Sequence, residues 1–498
     1  MSADRLQGSG ERSRQQLLDR FVEREDAQAP ERRLVVSADE LADATRVLLE
    51  TGGHFVGTFV MCEPELELRV LVALRGELLV LEALLGEERT YPAISAVTPG
   101  AFLPERELHD LSGIVPLGHP ELEPALRPDA DRLTRRVVGD QTFVIPYGPV
   151  RSGVFEAIQF PIDTGGEDVL SLSVRPYFKR RGLEQRFAGL SVDHGAYLAE
   201  RIAGISTVAH GLAYSQAVER LSGVEAPPLA QRWRVIHAEL ERVANHLDVG
   251  IKLAEDAALS VGVARFGSLK EQVMRLRARL CGSRFGRGVV APGGVRSQPL
   301  VSAGEVLRFI DDFEKDLRRD RGLLLGTTSF IDRLVGSGRL DAETIVSLGG
   351  VGPIARACSL GIDARLERPY GAYPHLGFTI ARATTGDAMA RFDVRLQEID
   401  QSIHLMRQAL ERLDRLPSDL HVPLAATADG EACGWTEAPS GELVYCLRVE
   451  GQTVREAHIA TPSLRNWPLL SASYRGDVLT DVSFIEHSFG LTPAEADR

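Results

Sequence analysis

The stretch that decides the fold runs from Pro227 to Leu247 and reads PPLAQRWRVIHAELERVANHL. Large apolar residues recur in it at steps of four and three, at Leu229, Trp233, Ile236, Leu240, Val243 and Leu247. This spacing places the apolar side chains on one face of an α-helix, and the two prolines mark its start. The narrow apolar seam predicts a helix that lies inside a bundle.

Further elements are predicted on both sides of this helix. Ser37-Ala-Asp-Glu40 has the capping-box pattern, and Gly52-Gly53 ends the apolar run that follows it, so a helix is expected between them. Other helices are predicted at 269–280, 304–324, 342–348 and 387–416. Runs rich in β-branched and apolar residues predict strands at 55–62, 66–74, 78–85, 155–162, 169–174, 442–450 and 454–460.

These patterns predict an α+β protein with two domains. A small N-terminal α+β domain is expected at 34–122, and a mainly helical domain with peripheral β-strands is expected at 141–498. Residues 1–33 are polar and without periodicity, which predicts a loose arm. Residues 123–140 are rich in charge and proline, which predicts a linker.

Charge and hydropathy exclude several function classes. The net charge of −13 argues against nucleic acid as the main partner. The most apolar window, 66–86, contains five charged residues, so it does not predict a membrane span. Residues 1–24 have no apolar stretch typical of a signal peptide. We therefore expect a cytoplasmic protein, and any association with a membrane would have to come through partner subunits.

Generic cofactor motifs are missing or misplaced. The five cysteines, at positions 62, 281, 358, 433 and 446, form no Cys-x-x-Cys pair. They predict a reduced protein without an iron–sulfur or zinc site of its own. Gly350-Val-Gly352-Pro-Ile-Ala355 superficially fits a dinucleotide-binding loop, but a helix-like segment precedes it where a strand is required. A turn or helix cap is the preferred interpretation of this segment.

The N-terminal domain carries a recognisable set of charged and turn residues. Pro104-Glu-Arg-Glu107 is followed by Asp110, Gly113-Ile114 and Gly118-His-Pro120. This set resembles the thirty-kilodalton, or "C", subunit of complex I. The family usually follows Gly-His-Pro with a basic run, whereas this chain has Glu121 and Glu123.

The rest of the chain resembles the large subunit of energy-converting NiFe hydrogenases and its relative, the "D" subunit of complex I. The matches follow in order over almost the whole second domain: Pro146-Tyr-Gly-Pro149, Arg181-Gly-Leu-Glu184, Glu200-Arg201, His210, 213–219, 239–242, 245–247, 282–285, 292–295, 332–333, 352–353, Arg356, 363–365, 369–370, 386–387, Arg391, 437–439, 461–463 and 466–467. The fusion of both domains resembles the large subunit of formate hydrogenlyase.

The resemblance also shows which residues are missing. Active relatives bind nickel and iron through two Cys-x-x-Cys pairs, because soft thiolates hold these low-valent metals. Here the first pair corresponds to Ala203 and Ser206, and no cysteine lies near the second pair, around Thr492 and Glu495. The family's arginine over the metals is replaced by Ser440. We therefore expect no nickel–iron centre, and no other cofactor bound by this chain.

Other residues of the resemblance are retained as candidates for chemistry. Glu184 matches a glutamate that passes protons in hydrogenases, but it could equally be a structural partner of Arg181 or Arg201. His210 and Tyr214 match residues of both families. Tyr214 and Arg201 are candidates for lining the cavity that remains at the expected metal site. In complex I a histidine near the quinone occupies the position of Arg151. Arginine can donate hydrogen bonds to a quinone but cannot release a proton near neutral pH.

The resemblance implies the large hydrophilic subunit of a membrane-bound oxidoreductase. An iron–sulfur subunit similar to the complex I "B" subunit would dock on it, and integral antiporter-like and anchor subunits would couple redox change to ion movement. The expected acceptor is a quinone or another small molecule, while NAD would bind, if at all, to another subunit. One alternative is a scaffold that catalyses no reaction. A working hydrogenase is a third hypothesis, and it predicts nickel in the protein.

Overall fold

The N-terminal sheet is built around the strand meander that the sequence predicts. The computed structural model describes residues 22–24, 31–62, 65–151, 156–424 and 429–498, so Ser152 and most of the predicted arm lie outside the described residues. The strand order is β1-β2-β5-β4-β3, with β2 parallel to β5 and the other pairs antiparallel. The strands are β1 (Val22–Arg24), β2 (Arg32–Val35), β3 (His54–Met61), β4 (Glu67–Leu74) and β5 (Glu77–Leu84). Strands β1 and β2 contain part of the predicted arm, so this part belongs to the sheet and is not a loose segment.

Both faces of this sheet are covered, which explains the nearly continuous apolar runs of its strands. Helix α1 (Leu41–Glu50) packs its buried residues Leu41 and Leu48 on one face. Because successive strand residues point to opposite faces, Leu71 and Val80 project from the other face. These two side chains join the core of the helical part of the molecule.

The charged motif of the N-terminal domain lies on helix α2 (Phe102–Ser112), between the strands β6 (Thr90–Pro92) and β7 (Val115–Leu117). The buried Glu105 carboxylate accepts hydrogen bonds from the Ile94 and Ser95 amides at 2.6 and 3.0 Å. Asp110 accepts from the Ala125 and Leu126 amides at 2.7 and 2.8 Å. The first and last carboxylates of the motif therefore fix the chain on either side of α2.

The second part of the chain begins with a small antiparallel sheet of order β10-β9-β8. It contains β8 (Phe143–Tyr147), β9 (Phe160–Thr164) and β10 (Val169–Leu172), and no helix or strand occurs in the described residues 118–142 before it. The helices follow: α3 (Leu183–Phe187), α4 (Val192–Ala199), α5 (Thr207–Leu221), α6 (Pro228–Asp256), α7 (Ser260–Cys281), α8 (Ala303–Leu325), α9 (Thr328–Leu334), α10 (Ala342–Ser347), α11 (Gly352–Arg356), α12 (Ala364–Glu367), α13 (Ala388–Leu410), α14 (Pro462–Ser473), α15 (Val482–Phe489) and α16 (Pro493–Ala496). A short hairpin of β11 (Val290–Ala291) and β12 (Gly294–Val295) separates α7 from α8.

Helix α6 is the central helix, as its sequence predicts. Pro228 occupies its first turn, where a missing amide hydrogen costs nothing. Trp233, Ile236, Leu240 and Leu247 are all buried in the main hydrophobic core. The helix packs against α7 and α13, so the prediction of a helix inside a bundle is confirmed.

A network of buried charges crosses the core beside α6. It contains four arginines and four carboxylates, which are Arg242, Arg356, Arg365, Arg395, Glu239, Asp363, Glu398 and Glu437. His246 joins Glu398 at 2.8 Å and Arg395 at 3.1 Å. Burial lowers the pKa of His246 to about 4, which keeps the imidazole neutral near pH 7. Arg395 joins the network through His246, and each of the other seven ions has a counter-ion within 4 Å.

The C-terminal sheet has the order β13-β14-β15 and packs on α5. Its antiparallel strands are β13 (Gly430–Ala438), β14 (Gly441–Glu450) and β15 (Thr453–Ala460), of which β13 was not predicted. The hairpin register places Cys433 opposite Cys446, and their sulfur atoms form a disulfide. The expectation of five reduced cysteines is therefore wrong for this pair, which the hairpin brings together although no sequence motif marks it.

The outer strands β3 and β15 face each other and join the two sheets through side chains. The rings of Phe59 and His458 stack with their centroids 4.5 Å apart. A Cβ atom built on Gly57 would lie 3.0 Å from the Cβ atom of Ala460. Arg465 of α14 donates to the Phe55 carbonyl oxygen at 2.6 Å. We call this contact zone the seam.

Candidate functional site

Helix α5 carries two of the predicted site residues, His210 and Tyr214. Its first amides are capped by Glu241 of α6, which accepts from Val208 N at 2.7 Å and from Ala209 N at 3.0 Å. Burial raises the pKa of Glu241 to about 7, although Arg277 and these amides oppose the shift. The cap fixes α5 against the central helix and thereby fixes the position of His210.

The structure brings together two residues that the resemblance to hydrogenases places near the expected metal-ligand positions. The hydroxyl group of Ser206 donates to Glu495 Oε1 at 2.7 Å, although 289 residues separate them. Both residues are buried, and so is Ala203. Thr492 donates instead to Glu156 Oε2 at 2.7 Å. A serine–glutamate hydrogen bond thus links the two regions in which the resemblance predicts the metal-ligand positions.

Glu495 is held by several donors at once. Ser463 N donates to Glu495 Oε2 at 3.1 Å, and His210 Nε2 lies 3.8 Å from Glu495 Oε1. Burial alone would raise the pKa of Glu495, but the donors around this carboxylate hold the pKa below its usual value. Glu495 is therefore ionised at neutral pH, and its lone pairs are engaged by the protein.

His210 and Tyr214 lie in an aromatic cluster behind this carboxylate. His210 Nδ1 is 2.7 Å from the hydroxyl oxygen of Tyr445 on β14. Tyr214 donates to the Val192 carbonyl oxygen at 2.9 Å, and burial raises its pKa well above the usual range. A Cβ atom on Gly195 would collide with the Tyr214 hydroxyl group, so glycine is required at that position. These contacts are structural, and they tie α5 to β14 and α4.

This donor set does not fit a nickel–iron centre. Ala203 has no ligand atom, and the oxygens of Ser206 and Glu495 are hard donors that bind each other. Ser440, at the position for which the resemblance predicts an arginine, is also buried. Among the described residues, no group of three or more His, Cys, Asp or Glu side chains is arranged to hold a metal ion.

Glu184 is paired, but with a different residue from those the sequence suggested. Glu184 Oε1 accepts from Arg498 Nε at 3.0 Å and from the Ile459 amide at 2.8 Å. Arg181 instead donates to the carbonyl oxygens of Ile202 and Ala494 at 2.7 and 2.6 Å. The fixed carboxylate of Glu184 thus joins α3 to β15 and to Arg498.

Arg151 and Arg201 lie apart from Glu184. Arg151 forms a two-bond ion pair with Glu486 of α15 at 2.6 and 2.7 Å, and its guanidinium group stacks over the Tyr147 ring. Burial opposes the charge of Arg151, but Glu486 outweighs this effect and raises the pKa of Arg151 above its usual range. The side chain of Arg201 is exposed.

A cavity of about 620 Å³ opens along the seam. Phe55, Val60, Leu108 and Ile459 contribute apolar walls, and Glu184 lies at its margin. Neither Arg151 nor His210 lines this space. Of the predicted catalytic residues, only Glu184 therefore reaches the cavity.

Comparisons with known proteins give matches for both parts of the chain. Residues 34–132 match the family described as the 30 Kd subunit of respiratory-chain NADH dehydrogenase, and residues 258–428 match its 49 Kd subunit. The carbon monoxide-induced hydrogenase of Rhodospirillum rubrum is 32% identical over 359 residues, which cover 70% of this chain and 97% of that protein. The chain belongs to the family that unites such hydrogenases with the 49-kilodalton subunit of complex I.

Other members of this hydrogenase and complex I family also match. Formate hydrogenlyase subunit 5 of Escherichia coli is 26% identical over 439 residues, which cover 82% of this chain and 77% of that subunit. A solved structure of the membrane-bound sulfane sulfur reductase, an archaeal respiratory membrane complex, contains a chain with a TM-score of 0.68 and 26% identity. That match covers 73% of this chain and all of the other. In the described residues, no helix is long and apolar enough to cross a bilayer.

The serine–glutamate contact gives a testable prediction for this family member. Removing the Ser206 hydroxyl group with Ser206→Ala is expected to cost about 1.5–3 kcal/mol, because a buried carboxylate then loses a donor. Ser215→Ala is the matched control, since the buried hydroxyl group of Ser215, on the helix that begins directly after Ser206, has no partner among the described residues. Urea unfolding of both variants measures the difference. An equal effect of the two substitutions would disprove the contact.

Several contacts of the site carry no sequence signal, although Ser463 itself lies in the matched segment 461–463. Tyr445, Ser463 and Glu156 contact the predicted residues only because distant segments meet. Arg498 lies outside every motif used to identify the family, yet it binds Glu184. No spacing rule could have found these four residues, because they contact the predicted residues across 29 to 336 positions.

Proposed function

We propose that this chain is the large hydrophilic subunit of a membrane-bound redox complex and that it works without a nickel–iron centre. The hydrogen bond between Ser206 and Glu495 is the observation that carries this proposal. It joins the two regions that would have to supply thiolates, and it uses the polar atoms available there. Oxygen ligands of this kind do not replace four sulfur donors for low-valent metals.

The proposed partners follow from the relatives. The matched chain of the sulfane sulfur reductase belongs to a respiratory membrane complex. Formate hydrogenlyase subunit 5 is, by its name, one of several subunits of an enzyme. We propose that an iron–sulfur subunit docks on this chain and that integral antiporter-like and anchor subunits hold both at the inner face of the membrane. The charges in the most apolar window, 66–86, agree with attachment through partners.

The proposed reaction is electron transfer to a quinone or another small acceptor. In this reaction a quinone would take up two electrons, passed one at a time through an iron–sulfur cluster of the partner subunit, and two protons, and it would become a hydroquinone. Glu184 is the proposed source of one proton, because its carboxylate borders the seam cavity. Arg151 can only donate hydrogen bonds, and Glu486 already accepts two of them.

A scaffold role is the second candidate, and one observation favours it. The predicted catalytic groups Glu184, Arg151 and His210 all have partners within the chain. Groups held in this way can stabilise the fold without reacting. The cavity beside Glu184 favours the redox function instead, since a scaffold has no need of an open space with convergent polar groups.

Two measurements on the purified complex test the proposal. Elemental analysis is expected to find far less than one nickel per chain, and one nickel per chain would instead support a working hydrogenase. Glu184→Gln is expected to lower quinone-reductase turnover by roughly 100-fold, because a proton donor is lost. Arg318→Gln, which changes an exposed residue of α8, is the control. If Glu184→Gln and Arg151→Ala both leave the turnover of an assembled complex unchanged, the chain is a scaffold.

A further inference from the structure

A second groove lies where helix α2, the predicted linker and helix α14 meet. Its lining residues come mainly from α2, from positions 120–136, from positions 172–176 and from α14. Its volume of about 760 Å³ lies within the range of ligand sites in proteins, roughly 300–1,000 Å³. None of the predicted catalytic residues lines this groove, so the proposed redox reaction does not account for it.

Positive charge dominates the lining of the groove, although the whole chain has a net charge of −13. Five arginines line it, which are Arg106, Arg127, Arg132, Arg136 and Arg175. Three carboxylates share the lining with them, those of Glu121, Glu123 and Asp129. The lining thus carries two more positive than negative charges, and an anion with two negative charges would neutralise it. We call this space the arginine groove.

Two of the five arginines have no acidic partner. Arg106 and Arg136 have Glu121 within 4 Å, and Arg132 has Glu123. Arg127 and Arg175 have no carboxylate within this distance among the described residues. The third carboxylate, Asp129, is exposed and accepts from the Asp131 amide at 2.9 Å. The unneutralised charge of the groove therefore resides on Arg127 and Arg175.

One edge of the guanidinium group of the half-buried Arg175 is free. Nη1 donates to the Arg132 carbonyl oxygen at 2.5 Å and to Gln159 Oε1 at 3.5 Å. Nε and Nη2, which form the adjacent edge, have no hydrogen-bond partner among the described residues, and both atoms remain accessible. Burial lowers the pKa of Arg175, and the nearby Arg136 lowers it further. This edge can donate two parallel hydrogen bonds to an anion, which would also supply the missing opposite charge.

Apolar side chains form much of the remaining surface of the groove. Phe102, Leu172, Val174 and Leu348 belong to it, together with Pro176. A free inorganic ion would leave these side chains in contact with water, whereas an organic anion would cover them. The lining therefore favours a ligand that has an apolar or ring-shaped part beside its charged group.

We propose that the arginine groove binds an organic phosphate, namely a phosphomonoester attached to an apolar body. Its phosphoryl group, which carries about −1.5 to −2 charges at pH 7, accepts from Arg175 Nε and Nη2 and neutralises Arg127. A single carboxylate would neutralise only one of the two excess charges. The apolar body packs on Phe102, Leu172 and Val174. A nucleotide and an acidic lipid share this chemistry, and the site goes beyond the proposed function, which does not depend on it.

Calorimetric titration of the purified full chain with two pairs of probes tests this site. Adenosine monophosphate and dioctanoyl phosphatidic acid each carry a phosphomonoester, and adenosine and dioctanoylglycerol are the matched compounds without it. At least one phosphate-bearing probe should bind saturably, with a Kd lower by roughly ten-fold or more than that of its counterpart. Binding of adenosine monophosphate alone would identify a nucleotide-like ligand, and binding of the phosphatidic acid alone would identify a lipid head group. If neither phosphate lowers the Kd, the inference is wrong.

Substitutions of single arginines locate the binding site. Arg175→Gln removes the free edge and is expected to raise the Kd of the bound probe roughly ten-fold or more. Arg135→Gln is the matched control, because Arg135 is exposed in the same part of the chain and does not line the groove. Arg127 has no hydrogen bond or ion pair among the described residues, so Arg127→Gln should leave the fold intact and raise the Kd roughly three-fold. Equal Kd values for the variants of Arg127, Arg135 and Arg175 would overturn the inference.

Discussion

Replacing Arg356 by methionine is expected to lower the free energy of unfolding by about 3–5 kcal/mol, because the substitution leaves buried carboxylates without their counter-ion. Arg356 is fully buried and contacts Glu398 at 2.8 Å, Glu437 at 2.9 Å and Asp363 at 3.3 Å. Urea unfolding followed by circular dichroism measures the loss. Arg318→Met, which removes an exposed charge from α8, should leave the midpoint unchanged. A loss below about 1 kcal/mol, the usual value of an exposed pair, would contradict the expectation.

The same network makes the free energy of unfolding depend on pH in the acidic range. Burial raises the pKa of Glu398, but Arg356 and His246 outweigh burial and hold the pKa well below its usual value. The unfolded chain has a glutamate pKa of about 4.3, so this contribution is complete above that pH and is lost as pH falls further. Arg356→Met removes the main charge that lowers this pKa, so the loss in acid should still begin near the glutamate pKa of the unfolded chain but should be smaller than in the unmodified protein.

Gly434→Ala is expected to lower the free energy of unfolding by an amount similar to that of Arg356→Met, but through packing alone. A Cβ atom at Gly434 of β13 would lie 2.0 Å from the Ala213 carbonyl oxygen and 2.7 Å from the Ala217 amide nitrogen. These are backbone atoms of α5, so the strand and the helix must separate, and we expect a loss of about 3 kcal/mol or more. The shift would also displace His210 and Tyr214.

The matched control for that substitution is a glycine on an open helix surface. Gly267 lies within α7, and a Cβ atom there would meet nothing within 4 Å. Gly267→Ala should therefore raise the free energy of unfolding by about 0.5–1 kcal/mol, because alanine loses less backbone entropy. Thermal and urea unfolding of both variants give the comparison. Similar losses in both proteins would show that β13 does not pack directly on α5.

Local periodicity was sufficient to predict most of the regular elements. The three strands of the meander were expected at 55–62, 66–74 and 78–85, and each observed strand begins and ends within one residue of these limits. Helix α6 was predicted from its apolar seam. Strand β13 was missed because Gly434, Thr436 and Glu437 interrupt its apolar pattern, although the fold buries all three.

The site was less predictable, because its contacts join distant segments. The resemblance identified Ala203, Ser206, Thr492 and Glu495 as residues near the expected ligand positions, but only the fold shows that Ser206 and Glu495 meet. Likewise, the interaction of Glu184 with Arg498 spans 314 residues. The disulfide between Cys433 and Cys446 depends on hairpin register, which spacing alone does not determine.

The seam has a consequence for how the chain can be divided. Strands β3 and β15 are the outermost strands of their sheets, and each shields the other. An unshielded outer strand exposes backbone amides and carbonyls to which a foreign strand can add, which promotes aggregation. Because both parts belong to one polypeptide, strands β3 and β15 are always made together and in equal number. Cutting the chain between β7 and β8 and separating the two parts would therefore expose two edge strands that are prone to aggregation.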